Sequence, residues 1–199
     1  VLFMPDKHLG RNTGLQLGLG PDDWHVLRLS GKNGLAESER RPGSAAACRR
    51  LLLWPGCCAI HGHLRPESVQ AARAAYPGCR VLAHPECRPE LIGLCDGSGS
   101  TSYLIKEAEK AAGEGGTLII GTETNLVHRL RDRFAGRCRI EPLAPAICPD
   151  MAKVTEENLL ACLQGVAAGT APIMTLQDEQ LAPARASLTR MLQVCAAQR

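Results

Sequence analysis

Four short apolar runs in this 199-residue chain are each followed at once by residues able to do chemistry. After the run at 51–54 come Pro55-Gly56-Cys57-Cys58-Ala59-Ile60-His61, and after 80–83 come His84-Pro85-Glu86-Cys87. After 117–120 come Gly121-Thr122-Glu123, and after 139–143 come Ala144-Pro145-Ala146-Ile147-Cys148-Pro149. Thiolates and imidazoles ligate metals, and a carboxylate beside an imidazole moves protons. Gly99-Ser100-Thr101, ahead of a helical pattern, adds two hydroxyls and free N–H groups, a ready site for a carboxylate or phosphate. Each group alone is more often structural: a lone His is usually a satisfied one, a lone Cys a small apolar residue, a Ser-Thr pair a cap. Their convergence counts for more, because ligands in parallel α/β sheets sit beyond the carboxyl ends of the strands.

The elements that must position these groups are legible from periodicity. Strands are expected at 1–4, 51–54, 80–83, 117–120 and 139–143, and helices at 66–76, 101–112 and 124–134. Continuous apolar runs alternating with helical spacing indicate parallel βαβ units. Pro66 suits a first helical position, and Pro77-Gly78 stops that helix. In the tail, Thr155-Glu156-Glu157 opens a helix whose apolar face is Leu159, Leu160, Leu163 and Val166. A second helix is expected at roughly 182–197, and the pair is expected to pack on a neighbouring domain. The segment 14–50 has glycines, Pro21-Asp22-Asp23 and an aperiodic polar run at 31–44, which reads as a long loop or a distorted βα unit.

Composition narrows the function classes. The net charge is only +3 and aromatic residues are 3%, whereas single-strand binders pair a basic groove with stacking aromatics, so nucleic acid is not expected. No apolar run approaches the roughly 20 residues of a membrane span. The start, Val1-Leu2-Phe3-Met4-Pro5, has no basic n-region, cleavage site or initiator Met, and reads as an excised piece of a longer chain. Ten cysteines without an export signal or a C-x-x-C pair fit reduced thiols in the cytoplasm better than a disulfide framework or a zinc ribbon. No G-x-G-x-x-G follows a strand, which argues against a nucleotide-binding fold.

Six motifs, in order, resemble those of the quinolinate synthases. They are Pro5-Asp6-Lys7-His8-Leu9-Gly10, the stretch from Trp54 to His61, His84-Pro85-Glu86-Cys87, Gly99-Ser100-Thr101, Gly121-Thr122-Glu123, and Cys148-Pro149-Asp150-Met151 with Thr155. The match covers nearly the whole chain and resembles the family's C-terminal two-thirds. The resemblance implies three-layer αβα domains with parallel sheets in a pseudo-threefold arrangement. Residues 1–58 would be the remainder of the second domain, 59–148 the third and 149–199 a C-terminal helical segment, with the N-terminal domain absent.

The resemblance also implies a [4Fe–4S] cluster with one cysteine from each domain. Cys58 and Cys148 match the second and third ligands, and the first lies upstream of Val1. Cys87 is not a ligand in that family. The implied reaction condenses iminoaspartate with dihydroxyacetone phosphate to quinolinate in NAD biosynthesis, and L-aspartate oxidase is the implied supplier of iminoaspartate. Glu86 matches the acid/base group, with His84 beside it. His61 and His84 match substrate-binding residues, Ser100 and Thr101 an anion-holding pair, and Thr122 and Glu123 residues that line or brace the site. Two features depart from the family: Asp150 stands where Asn is usual, and 14–50 does not follow the pattern. Cys48, in that segment, is a poor stand-in for the missing ligand. With two cluster cysteines, the chain alone is expected to be inactive. The competing reading is a non-catalytic α/β remnant that binds a small anion or a partner.

Overall fold

A computed structural model of the protein describes residues 1–30, 34, 36 and 49–197. Cys48 and most of the polar run 31–44 lie outside the described residues. The chain divides into two compact units, Val1–Pro149 and Asp150–Arg199.

The first unit begins with β1 (Leu2–Phe3), α1 (Lys7–Gln16), β2 (Trp24–Val26) and β3 (Leu51–Leu53). It continues with a 3₁₀ turn (His61–His63), α2 (Pro66–Ala75), β4 (Arg80–Ala83), the short α3 (Pro89–Ile92) and β5 (Gly97–Ser98). Then come α4 (Thr101–Glu114), β6 (Thr117–Gly121), α5 (Thr124–Arg133) and β7 (Arg139–Pro142). The strands form two wholly parallel sheets, in the orders β1-β3-β2 and β5-β4-β6-β7. The fold is α/β, as the alternation of strand and helix patterns requires.

Layering of the larger sheet follows from strand alternation. Val81, Ala83 and Ile119 point to one face, where they join Leu64, Val69, Ala72 and Leu91 from α2, α3 and the turn before them. Leu82, Leu118 and Ile120 point to the other, against Leu104 and Ala108 of α4 and Val127 and Leu130 of α5. Both faces are therefore buried, which is why these strands read as unbroken apolar runs. Helix ends are set locally. Ser100 caps α4 by accepting the Tyr103 N–H, and Glu123 caps α5 by accepting the N–H groups of Asn125 and Leu126. α2 has Pro66 at its start and ends before Gly78, whose φ of 79° only glycine adopts without strain.

Two strands appear where the sequence shows no periodic run. β2 lies inside the segment read as a loop or distorted βα unit, and pairs Trp24, His25 and Val26 with Leu51, Leu52 and Leu53. β5 has only Gly97 and Ser98, paired with Leu82 and Ala83. Both are too short to show a period, and a partner strand defines them. In the second unit, α6 (Glu156–Ala168) is capped by Thr155, and α7 (Asp178–Ala196) starts four residues earlier than its apolar pattern, at the acids Asp178 and Glu179. Leu159, Leu160, Leu163 and Val166 of α6 are exposed. No helix among the described residues is long and apolar enough to cross a membrane.

Candidate functional site

The loops after β3 and β4 meet at the carboxyl ends of their strands. Three of their side chains converge: one ligand atom each from Cys58, His61 and Glu86 lies within 4.8 Å of the others. His61 is buried between two partners. Its Nδ1 lies 2.9 Å from Glu86 Oε2 and its Nε2 lies 3.0 Å from the Thr122 hydroxyl. The His84 ring stacks on it with centroids 4.3 Å apart and planes inclined by 13°. Burial, and then the neighbouring His61, hold the His84 imidazole below its ordinary pKa, against the pull of Glu86 and Asp6. At neutral pH His84 is therefore an uncharged ring.

Cys58 is half-buried, and burial raises its thiol pKa above the ordinary value although the His61 and Ile60 N–H groups oppose this. Its neighbour Cys57 is exposed. Cys87 is wholly buried in the core, and burial drives its thiol far upward. Cys148 lies half-buried on the segment after β7 and does not belong to the Cys58–His61–Glu86 group. That segment is pinned to α5, since Thr124 Oγ1 accepts the Ala146 N–H at 2.8 Å and the Thr124 N–H donates to the Ala146 carbonyl. Ser100 and Thr101 are exposed at the start of α4, after β5. Thr122 touches the site through His61, whereas the Glu123 carboxylate is used up in capping α5.

Helix α1 supports both loops. Asp6 at its N-cap is buried. One oxygen accepts the Leu9 N–H at 2.7 Å, and the other accepts the Cys58 N–H at 2.7 Å. Lys7 donates its backbone N–H to the Gly56 carbonyl. Two turns on, Asn12 Nδ2 donates to the carbonyls of Pro85 and Cys87 at 2.7 and 2.8 Å, on either side of Glu86. Asn12 carries no sequence signal for this role: it is an ordinary polar residue until the fold brings the Glu86 loop against it. Thr124 was likewise invisible as the residue that fixes the Cys148 segment.

Fold and site together define a layered α/β protein with a thiol, two imidazoles and a carboxylate gathered at strand ends. The family model for "Quinolinate synthetase A protein" matches residues 1–193. The quinolinate synthase of Corynebacterium glutamicum is 38% identical over 98% of this chain, and that of Acidobacterium capsulatum 36% identical over 98%. The quinolinate synthase of Streptomyces coelicolor is 38% identical over 96% of the chain. These alignments cover 48%, 52% and 48% of the respective relatives, so the chain spans about half the length of the curated relatives it matches. The chain belongs to the quinolinate synthetase A family, whose members named here are quinolinate synthases.

Proposed function

We propose that the chain is part of a quinolinate synthase that condenses iminoaspartate with dihydroxyacetone phosphate in cytoplasmic NAD biosynthesis. L-aspartate oxidase is the proposed supplier of the imine. The observation that carries the reading is the hydrogen-bonded line Thr122–His61–Glu86 with His84 stacked on it, set beside a free thiol. Condensation and dehydration need a group that takes and returns protons. With its proton on Nδ1, His61 donates to Glu86 Oε2 and accepts from the Thr122 hydroxyl at Nε2. Glu86 Oε2 is then held in one orientation, placed to accept a substrate proton and return it. Uncharged His84 offers a flat, partly apolar wall with one ring nitrogen for a substrate oxygen. Ser100 and Thr101 would hold a carboxylate or phosphate at the α4 N-terminus, where free N–H groups and the helix dipole favour an anion.

Donor chemistry fits an iron–sulfur group. Cys58 and Cys148 are free thiols, both half-buried, on segments that follow strands of the two different sheets. These two would hold the [4Fe–4S] cluster, with a further cysteine from outside the chain. When bound, the cluster supplies a Lewis-acidic iron that polarises a hydroxyl or carbonyl oxygen. Residues 1–58 would complete the second αβα domain of a pseudo-threefold assembly, 59–148 would form the third, and 149–199 the C-terminal helical segment. The chain by itself would be inactive.

Anaerobic reconstitution with iron and sulfide tests this, with iron counted and visible absorbance recorded, with and without the N-terminal part supplied in trans. The reading expects a cluster only with that part, lost in Cys58→Ala or Cys148→Ala. Folded protein that takes up no cluster in either condition would leave a non-catalytic anion-binding remnant.

A further inference from the structure

The Cys58–His61–Glu86 group has a geometry that the cluster reading does not use. Tetrahedral zinc with bonds of about 2.05 Å to nitrogen and oxygen and about 2.3 Å to sulfur places its ligand atoms roughly 3.3–3.6 Å apart. Here one sulfur, one nitrogen and one oxygen lie within 4.8 Å of one another, with His61 Nδ1 and Glu86 Oε2 at 2.9 Å. Opening the His61–Glu86 contact by about 0.4 Å and closing the sulfur onto the pair by up to about 1.2 Å would seat a metal among all three.

The surroundings match what holds metal ligands in place. His61 Nε2 is bonded to the Thr122 hydroxyl, so a tautomer protonated at Nε2 points the Nδ1 lone pair toward Glu86 and the thiol. The Cys58 backbone is fixed by Asp6, and the Glu86 loop is fixed on both sides by Asn12. Thiolate, imidazole and carboxylate together suit zinc better than magnesium or calcium, which take oxygen ligands.

We infer that Cys58, His61 and Glu86 form a mononuclear zinc site with an open fourth position, in which the metal competes with cluster assembly for the Cys58 sulfur. Zinc entry displaces the thiol proton to solvent, and the one proton of His61 passes from Nδ1 to Nε2, where the Thr122 hydroxyl accepts it. The bound ion then carries one thiolate, one carboxylate, one neutral imidazole and a water. Because the cluster also claims Cys58, the two occupancies exclude each other. The site itself rests on the geometry of the described residues and stands whether or not the chain takes part in quinolinate synthesis.

The test is an anaerobic titration of the metal-free 199-residue chain with Co²⁺, read as sulfur-to-cobalt charge transfer in the near ultraviolet, followed by displacement with Zn²⁺. One equivalent is expected to bind with tetrahedral visible bands. Cys58→Ser should abolish the charge-transfer band. Glu86→Gln should weaken binding by more than the roughly 10–100-fold that the outer partner Thr122, removed as Thr122→Val, is expected to cost. Cys57→Ser and Cys148→Ser should leave the band intact. The inference is overturned by a band that survives Cys58→Ser, by one lost in Cys148→Ser, or by no band from folded protein. Circular dichroism checks each variant's fold, and should Cys58→Ser misfold, Glu86→Gln and Thr122→Val carry the test. The titration needs no iron, sulfide or substrate, so its failure is distinct from failure of cluster reconstitution.

Discussion

Asp6 accepts the backbone N–H of Cys58 at 2.7 Å across 52 residues of sequence. The same carboxylate caps α1, so one buried side chain joins the start of a helix to the loop that carries the thiol. Asp6→Ala removes the cap and leaves the Cys58 N–H without its acceptor. The loss should be about 2–4 kcal/mol, combining a cap with an unsatisfied buried donor. Urea denaturation measures it, and amide exchange at Cys58 should accelerate more than at Val81. A variant within about 0.5 kcal/mol of wild type, the range of a neutral surface change, would mean that Asp6 does not clamp the loop.

Asn12 performs the matching task for the Glu86 loop. Asn12→Leu roughly keeps the side-chain volume but strands the Pro85 and Cys87 carbonyls in a buried place, at a cost of about 2–4 kcal/mol. Asn12→Asp should be worse, since a carboxylate would face two carbonyl oxygens. Equal stability of the Leu and Asp variants in urea would show that packing, and not donation to the loop, is what Asn12 supplies.

Two glycines should respond in opposite directions to the same change. A Cβ at Gly56 would lie 2.5 Å from the Pro5 carbonyl oxygen, where α1 and the cysteine loop come together. Backbone must move, so Gly56→Ala should destabilise by about 1–3 kcal/mol. Gly113, inside α4, has nothing within 4 Å of its would-be Cβ and no left-handed φ. Gly113→Ala should stabilise by about 0.5–1 kcal/mol through helix propensity. Thermal melts of the two variants, compared with wild type, check both signs.

What the sequence could reveal depended on whether a feature was local. Strands β4 and β6 are apolar runs buried on both faces, and α4 and α5 have helical spacing with caps, so all were visible without the fold; β7 buries only Ile140 of its four residues. Residues at strand ends were also visible as a set, because the carboxyl edge of a parallel sheet is a predictable place. β2 was not, since three residues become a strand only by pairing with Leu51–Leu53. Nor were Asp6 as an acceptor for Cys58, or Asn12 as a clamp on Pro85 and Cys87, because each contact spans more than 50 residues. Glu123 stands next to Thr122 in one motif, and its carboxylate accepts the Asn125 and Leu126 N–H groups that open α5.

His8, one turn before Asn12 on α1, provides a stability change with pH whose sign is fixed. It is buried with no hydrogen-bond partner at Nδ1. Burial lowers its pKa; Asp6 opposes the shift, while Lys7, Arg11 and Arg88 add to it. The folded protein therefore resists protonating His8 at a pH where the unfolded chain, with an imidazole near about 6.5, takes the proton readily. As pH falls below that value the unfolded state binds more protons, and stability must fall with it until the folded pKa is passed. His84 contributes with the same sign, so the wild-type curve alone cannot isolate His8. The difference between wild type and His8→Gln can. Urea denaturation at pH 7.5 and 5.5 should show wild type losing more stability on acidification than the variant. Curves that stay parallel would mean that His8 is protonated as easily in the folded protein as in the unfolded chain.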